Sequence, residues 1–119
     1  MSPTEKRRTP RIQPYVAPCR IVEGSKRFPA YLADLSPLGA RITCDVEPPV
    51  PGTHVVIEVR FGRQVRFSRL RAEVKWIRPG AAPGDPSMFG LIFSGVTAEE
   101  QRVLEAVVEE FRKRAEQLA

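Results

Sequence analysis

The clearest pattern in the chain is an alternation. Val55, Ile57, Val59 and Phe61 interleave with His54, Val56, Glu58 and Arg60, the period-two signature of a strand with one buried face. Upstream, the apolar-rich stretches Val16–Val22 and Phe28–Ala33 predict two strands joined by Glu23, Gly24, Ser25 and Lys26 as a hairpin loop. The second runs into Asp34-Leu-Ser-Pro-Leu-Gly39, a tight-turn sequence because Asp and Ser side chains bond nearby backbone N–H groups. A third strand, Ala40–Cys44, follows, and Pro48-Pro49-Val50-Pro51-Gly52 separates it from the alternating fourth. Gly62 and Arg63 turn the chain into a fifth strand whose apolar parity shifts, from Val65 and Phe67 to Leu70, Ala72, Val74 and Trp76. A β-bulge near Ser68 and Arg69 accounts for such a slip. After a proline-bearing loop from Pro79 to Pro86, Met88–Phe93 predicts a sixth strand.

The period then changes from two to 3.6. Thr97-x-x-Glu100 is a capping box, and Val103, Leu104, Val107, Val108, Phe111 and Leu118 recur on one stripe, predicting an amphipathic helix over about residues 97–118. Glu99 and Glu100 at its start and Arg112, Lys113 and Arg114 towards its end suit the helix dipole. About six short strands and one terminal helix predict a mostly β fold, a small antiparallel β-barrel with the helix packed against it or across one end.

Composition narrows this picture. At 119 residues, 42% hydrophobic and 28% charged, the chain fits one globular domain with one core. Twelve prolines fall mostly between the apolar segments, as short strands and turns require. No stretch approaches the ~18 apolar residues of a membrane span, and the polar stretch Met1–Arg11 has no apolar segment behind it. A cytoplasmic protein without membrane insertion is expected. Cys19 and Cys44 lack Cys-x-x-Cys spacing, which predicts buried free thiols and no metal site. His54 is the sole histidine and stands near no nucleophile motif, while Glu58 and Glu73 read as strand surface. No enzyme and no cofactor are expected.

Charge is segregated. Residues 1–27 hold seven Lys/Arg against two acids, residues 54–78 hold the same, and the remainder holds five against ten, within a net charge of +5. Basic surfaces concentrate phosphate-bearing partners without distinguishing nucleotide, nucleic acid and membrane. In Lys6-Arg7-Arg8-Thr9-Pro10-Arg11, Pro10 opposes a helix, so extended geometry at ~3.3 Å per residue puts Arg7 and Arg11 roughly 13 Å apart. Guanidinium forks bond phosphate and stack on flat bases, although such a run is more often a solvated tail. In Asp34-x-Ser36-x-x-Gly39, a carboxylate can accept from the N1 and N2 edge of guanine, a hydroxyl can serve a phosphate or base, and glycine permits close approach. The same residues also describe an ordinary Asx or Ser turn.

Together these two motifs resemble the PilZ domain family, which carries Arg-x-x-x-Arg before the first strand and Asp/Asn-x-Ser-x-x-Gly after the second. Here they read Arg7-Arg-Thr-Pro-Arg11 and Asp34-Leu-Ser-Pro-Leu-Gly39, with Val74-x-Trp76, Phe89-Gly90-Leu91 and the helix after Thr97 extending the resemblance over nearly the whole chain. The resemblance implies a six-stranded barrel over residues 16–119 and a flexible arginine segment, residues 1–15, that folds over cyclic di-GMP. It implies ligand contacts from Arg7, Arg8, Arg11, Asp34, Ser36 and Gly39, and a switch read by a protein effector, as monomer or weak homodimer. Motility, adhesion and matrix production are the outputs it suggests; one nucleotide or an intercalated pair fits it. Two rivals remain. Arg60, Arg63, Arg66, Arg69, Arg71, Lys75 and Arg78 raise a nucleic-acid-binding barrel, opposed by aromatics at core parity: Phe61, Phe67 and Trp76. The other is a PilZ-like adaptor that binds protein and no nucleotide.

Overall fold

The structure is a computed structural model that describes residues 15–59 and 68–118. Six strands, β1 (Ala17–Glu23), β2 (Lys26–Leu35), β3 (Gly39–Cys44), β4 (His54–Val59), β5 (Ser68–Arg78) and β6 (Ser87–Phe93), precede one helix, α1 (Ala98–Leu118). They close into a barrel in the order β1-β2-β3-β6-β5-β4, every neighbouring pair antiparallel. The six-stranded barrel with a C-terminal helix is therefore the observed fold, and closure gives each described strand a partner on both sides.

Alternation dictates what fills the lumen. Ile21, Leu32, Ile42, Ile57, Val74 and Phe89 are all at most 1% exposed, one from each strand. At roughly 1.5–3 kcal/mol for each side chain fully removed from water, they dominate the apolar driving force. The β1–β2 turn is tighter than the four-residue loop the sequence suggests: Glu23 pairs with Lys26, leaving Gly24-Ser25 as a two-residue loop in which Gly24 takes φ 60°. Both cysteines are free, Cys44 buried and Cys19 partly so. Burial pushes the Cys19 thiol up to about 12 and raises that of Cys44, which donates to the Val46 carbonyl at 3.2 Å. Thiols held protonated in this way are poor nucleophiles.

Helix α1 begins with a reciprocal capping box. The Thr97 N–H donates to Glu100 Oε1 at 2.9 Å and the Glu100 N–H to Thr97 Oγ1 at 3.1 Å. Leu104, Val107 and Phe111 are buried and join the barrel core, with Val108 partly buried beside them. Val103, expected on the same stripe, is 39% exposed, because at one residue before Leu104 it turns about 100° off the buried line. The expected match of basic residues to the helix C-terminus is also corrected: the last turn holds no basic residue. Arg112 instead pairs with Glu109 and Glu116, and Arg114 with Glu110, along the helix surface.

The bulge expected near Ser68 and Arg69 is not in the described ladder, and the slip from Val65 and Phe67 that it would explain begins outside the described residues. From Ser68 to Glu73 the ladder between β5 and β4 is unbroken. One irregularity falls between Val74 and Trp76, and a second lies between Leu32 and Asp34 in β2. Phe61, Phe67, Val65, the Gly62-Arg63 turn, and Arg60, Arg63 and Arg66 lie outside the described residues.

Candidate functional site

Both bulges act on the same stretch of outer wall. Along β2, Ala30 and Leu32 point inward, so strict alternation would send Asp34 into the lumen as well. The extra residue, Ala33, resets the phase: Asp34 turns outward and Leu35 inward. Trp76 repeats the device. It shares parity with the buried Leu70, Ala72 and Val74, but the bulge at Lys75 swings it onto the outer wall, where it is 37% exposed. The expectation of a core tryptophan is thus overturned, since a single bulged residue reverses which face a side chain occupies.

Trp76 can lie flat there because its cross-strand partner is Gly90. A methyl group at Gly90 would sit 2.2 Å from Trp76 Nε1, so the indole occupies the space that a side chain would fill. The Arg78 guanidinium stands 5.6 Å from the ring centroid, within cation–π range.

The Asp34-to-Gly39 segment is built as a closed turn. Ser36 Oγ accepts from the backbone N–H of Leu38 at 3.2 Å and of Gly39 at 3.3 Å, while the Ser36 N–H donates to the Gly39 carbonyl at 2.9 Å. The Phe93 N–H donates to the Leu38 carbonyl at 3.0 Å, tying the turn to the end of β6. Gly39 lets β3 approach β6 closely: an added Cβ would lie 2.0 Å from the Leu91 carbonyl oxygen. With the hairpin closed by Ser36 and Gly39, Asp34 falls opposite Arg41, and Arg41 Nη2 donates to Asp34 Oδ2 at 3.2 Å. Both side chains are about half exposed.

Asp34, Arg41, Gly90 and Trp76 are therefore successive cross-strand partners in one outward-facing row over β2, β3, β6 and β5. A groove of about 290 Å³ runs along this row, lined also by Ser36, Gly39 and Lys75. Its chemistry is mixed: one carboxylate, two cationic side chains, a hydroxyl and an aromatic surface. A larger depression of about 670 Å³, between the β1–β2 hairpin and the Pro48-Pro49 loop, contains none of the expected site residues. Its charged lining, Glu23, Lys26, Arg27 and Glu47, includes no residue of either sequence motif.

Asp34, Ser36 and Gly39 are thus brought together as the sequence suggests, whereas Arg7, Arg8 and Arg11 lie outside the described residues. Arg41 belongs to neither motif. The signal was available, since a hairpin closed by Ser36 and Gly39 must set residue 34 against residue 41. Glu58 is another correction: expected at the strand surface, it is only 6% exposed, between Arg27 at 3.6 Å and Arg69 at 3.4 Å. Cross-strand neighbours of opposite charge cover it. His54 is exposed at the start of β4. Among the described residues, no group of His, Cys, Asp and Glu could hold a metal ion, and no helix is long and apolar enough to cross a membrane.

The barrel's lumen is filled with side chains, and its polar groove lies on the outer wall. The chain belongs to the PilZ domain family, whose model matches residues 5–110 and so takes in both motifs. No curated protein matches it by sequence. Among solved structures it is similar to the PilZ domain, with c-di-GMP, of YcgR from Escherichia coli (17% identity, 89% of this chain and 91% of that one, TM-score 0.68). It is also similar to the PilZ domain of CeSA from a cellulose-synthesizing bacterium (18% identity, 86% and 98%, TM-score 0.62). A third is the Bacillus subtilis inhibitor of motility MotI/DgrA (17% identity, 96% and 56%, TM-score 0.61). At these identities the likeness is one of fold.

Proposed function

We propose that this PilZ domain is a cytoplasmic receptor for cyclic di-GMP, binding it in the groove along Asp34, Ser36 and Gly39 and signalling to a protein effector. The observation that carries the proposal is the Asp34 carboxylate, turned outward by the Ala33 bulge into a groove with cationic and aromatic walls. The presence of c-di-GMP with the similar YcgR domain gives the ligand its chemical identity. Asp34 accepts from the donor edge of a guanine, the Ser36–Gly39 turn supplies a fixed wall, and Trp76 offers a flat apolar surface. Arg7, Arg8 and Arg11, in a segment over residues 1–15, close over the phosphates and guanine faces. Ordering that segment changes the surface shown to the effector while the barrel, residues 16–119, stays fixed. Tyr15 supports such coupling, since its ring lies 5.1 Å from that of Phe111 on α1.

Calorimetric titration with cyclic di-GMP tests this. Arg7→Ala, Arg11→Ala and Asp34→Ala are each expected to weaken binding by roughly ten- to a hundredfold, the worth of a charge-assisted hydrogen bond, with the circular dichroism spectrum unchanged. Unaltered affinity in all three variants would sink the proposal. A nucleotide-free adaptor is the second reading, favoured by the internal engagement of Asp34 with Arg41 and of Ser36 with its own turn. A wild-type chain that binds no cyclic di-GMP at micromolar concentrations would establish it instead.

A further inference from the structure

Arg41 occupies a position that stability does not account for. Its ion pair with Asp34 is about half exposed on both sides, and exposed pairs add little to folding free energy. Yet both residues are held side by side on the outer wall, one by the Ala33 bulge and the other by the register of the Ser36–Gly39 hairpin. Beyond Arg41 in the same row comes Gly90, with no side chain, and then the exposed Trp76. An acceptor, a donor fork and an aromatic surface thus stand in sequence along one groove.

We infer that Arg41 is a specificity-determining residue which, with Asp34, forms a composite reader for the edge of guanine. The inference rests on the cyclic di-GMP receptor function proposed above. Along its rim guanine carries the N2 and N1 donors, then the O6 and N7 acceptors. Asp34 accepts from the first two. The adjoining guanidinium donates to O6 and N7, the pairing arginine commonly makes with guanine. The contact between Arg41 Nη2 and Asp34 Oδ2 leaves further lone pairs on the carboxylate and further N–H groups on the fork. The ion pair therefore fixes the orientation of both partners and persists when the base is bound. Adenine has an acceptor at N1 and a donor at N6 and keeps only the N7 acceptor, so Asp34 meets an acceptor and the guanidinium loses its bidentate contact. A site whose polar groups are left unpaired by the wrong base discriminates strongly against it.

The test is titration of the full chain and of Arg41→Ala with three ligands: cyclic di-GMP, cyclic di-IMP, which keeps O6 and N7 but lacks N2, and cyclic di-AMP. Because Arg41 is exposed, the variant is expected to melt as the parent does. Arg41→Ala should weaken both cyclic di-GMP and cyclic di-IMP by about ten- to a hundredfold, the worth of one bidentate contact, and leave cyclic di-AMP unaffected, so that the guanine-to-adenine ratio collapses. Equal losses for all three ligands would reduce Arg41 to a general charge and overturn the inference. So would unchanged affinities, or tighter binding of cyclic di-GMP, the behaviour of a residue that competes for Asp34. These outcomes leave the receptor function standing. A wild-type chain that binds neither cyclic di-GMP nor cyclic di-IMP overturns both.

Discussion

Two glycines in the groove are required for different reasons, and their replacement should separate those reasons. A Cβ at Gly39 would meet backbone, 2.0 Å from the Leu91 oxygen, and neither strand can retreat without losing its ladder. Gly39→Ala is expected to cost at least about 2 kcal/mol, the range of severe single substitutions, read as a lower urea midpoint. At Gly90 the obstacle is a side chain, since the Cβ would displace the Trp76 indole. Gly90→Ala should cost only about 1 kcal/mol and shift the emission of the chain's one tryptophan to the red as the ring moves into water. A Gly90→Ala variant with unaltered emission would show that Trp76 does not rest on that glycine. Gly39 was legible from its motif. Gly90 was not, because its role exists only once Trp76 lies outside.

Among the elements, α1 was the most legible, since capping box and stripe are local signals. Thr97→Ala removes the hydroxyl that accepts the Glu100 N–H and is expected to lower stability by about 1 kcal/mol in denaturant unfolding. Glu100 adds a pH dependence. Its hydrogen bond from Arg71, first, and that from the Thr97 N–H hold its pKa below the ordinary 4.5. The unfolded chain therefore takes up that proton more readily than the folded one. The stabilisation is complete above pH 4.5 and is lost as pH falls through the lowered folded value. Glu100→Gln should accordingly flatten the acid limb of a stability-against-pH curve and leave the slope above pH 6 unchanged; an identical acid limb would remove Glu100 from the cause. The existence of the strands was legible too. Bulge positions were not, because an extra residue in a ladder is defined by the partner strand and has no local signature at Ala33 or Lys75.

For the whole molecule, the helix belongs to the barrel's core. Leu104 is 1% exposed and Val107 and Phe111 are buried with it, continuous with the inward residues of the strands. Leu104→Ala is expected to destabilise the entire domain by about 2–5 kcal/mol in one cooperative transition followed by both near- and far-ultraviolet circular dichroism. An early helical transition followed by an unshifted barrel melt would show that the helix is an appendage. Barrel closure also decides the site. The groove takes residues from two consecutive strand pairs, β2 with β3 and β5 with β6, which are far apart in the chain and adjacent only after β3 pairs with β6.

The sequence by itself determined six strands, one capped helix, most of the lumen-facing residues and the turn from Asp34 to Gly39, because alternation, the capping box and turn chemistry act over a few residues. Only the tertiary structure decided that Trp76 lies outside the barrel, that Glu58 is covered by arginines, and that Asp34 meets Arg41 beside Gly90. Each depends on pairing between strands, where one bulged residue reverses the faces of all that follow. The same phase shift that misleads a parity count is what exposes Asp34 and Trp76 on one wall.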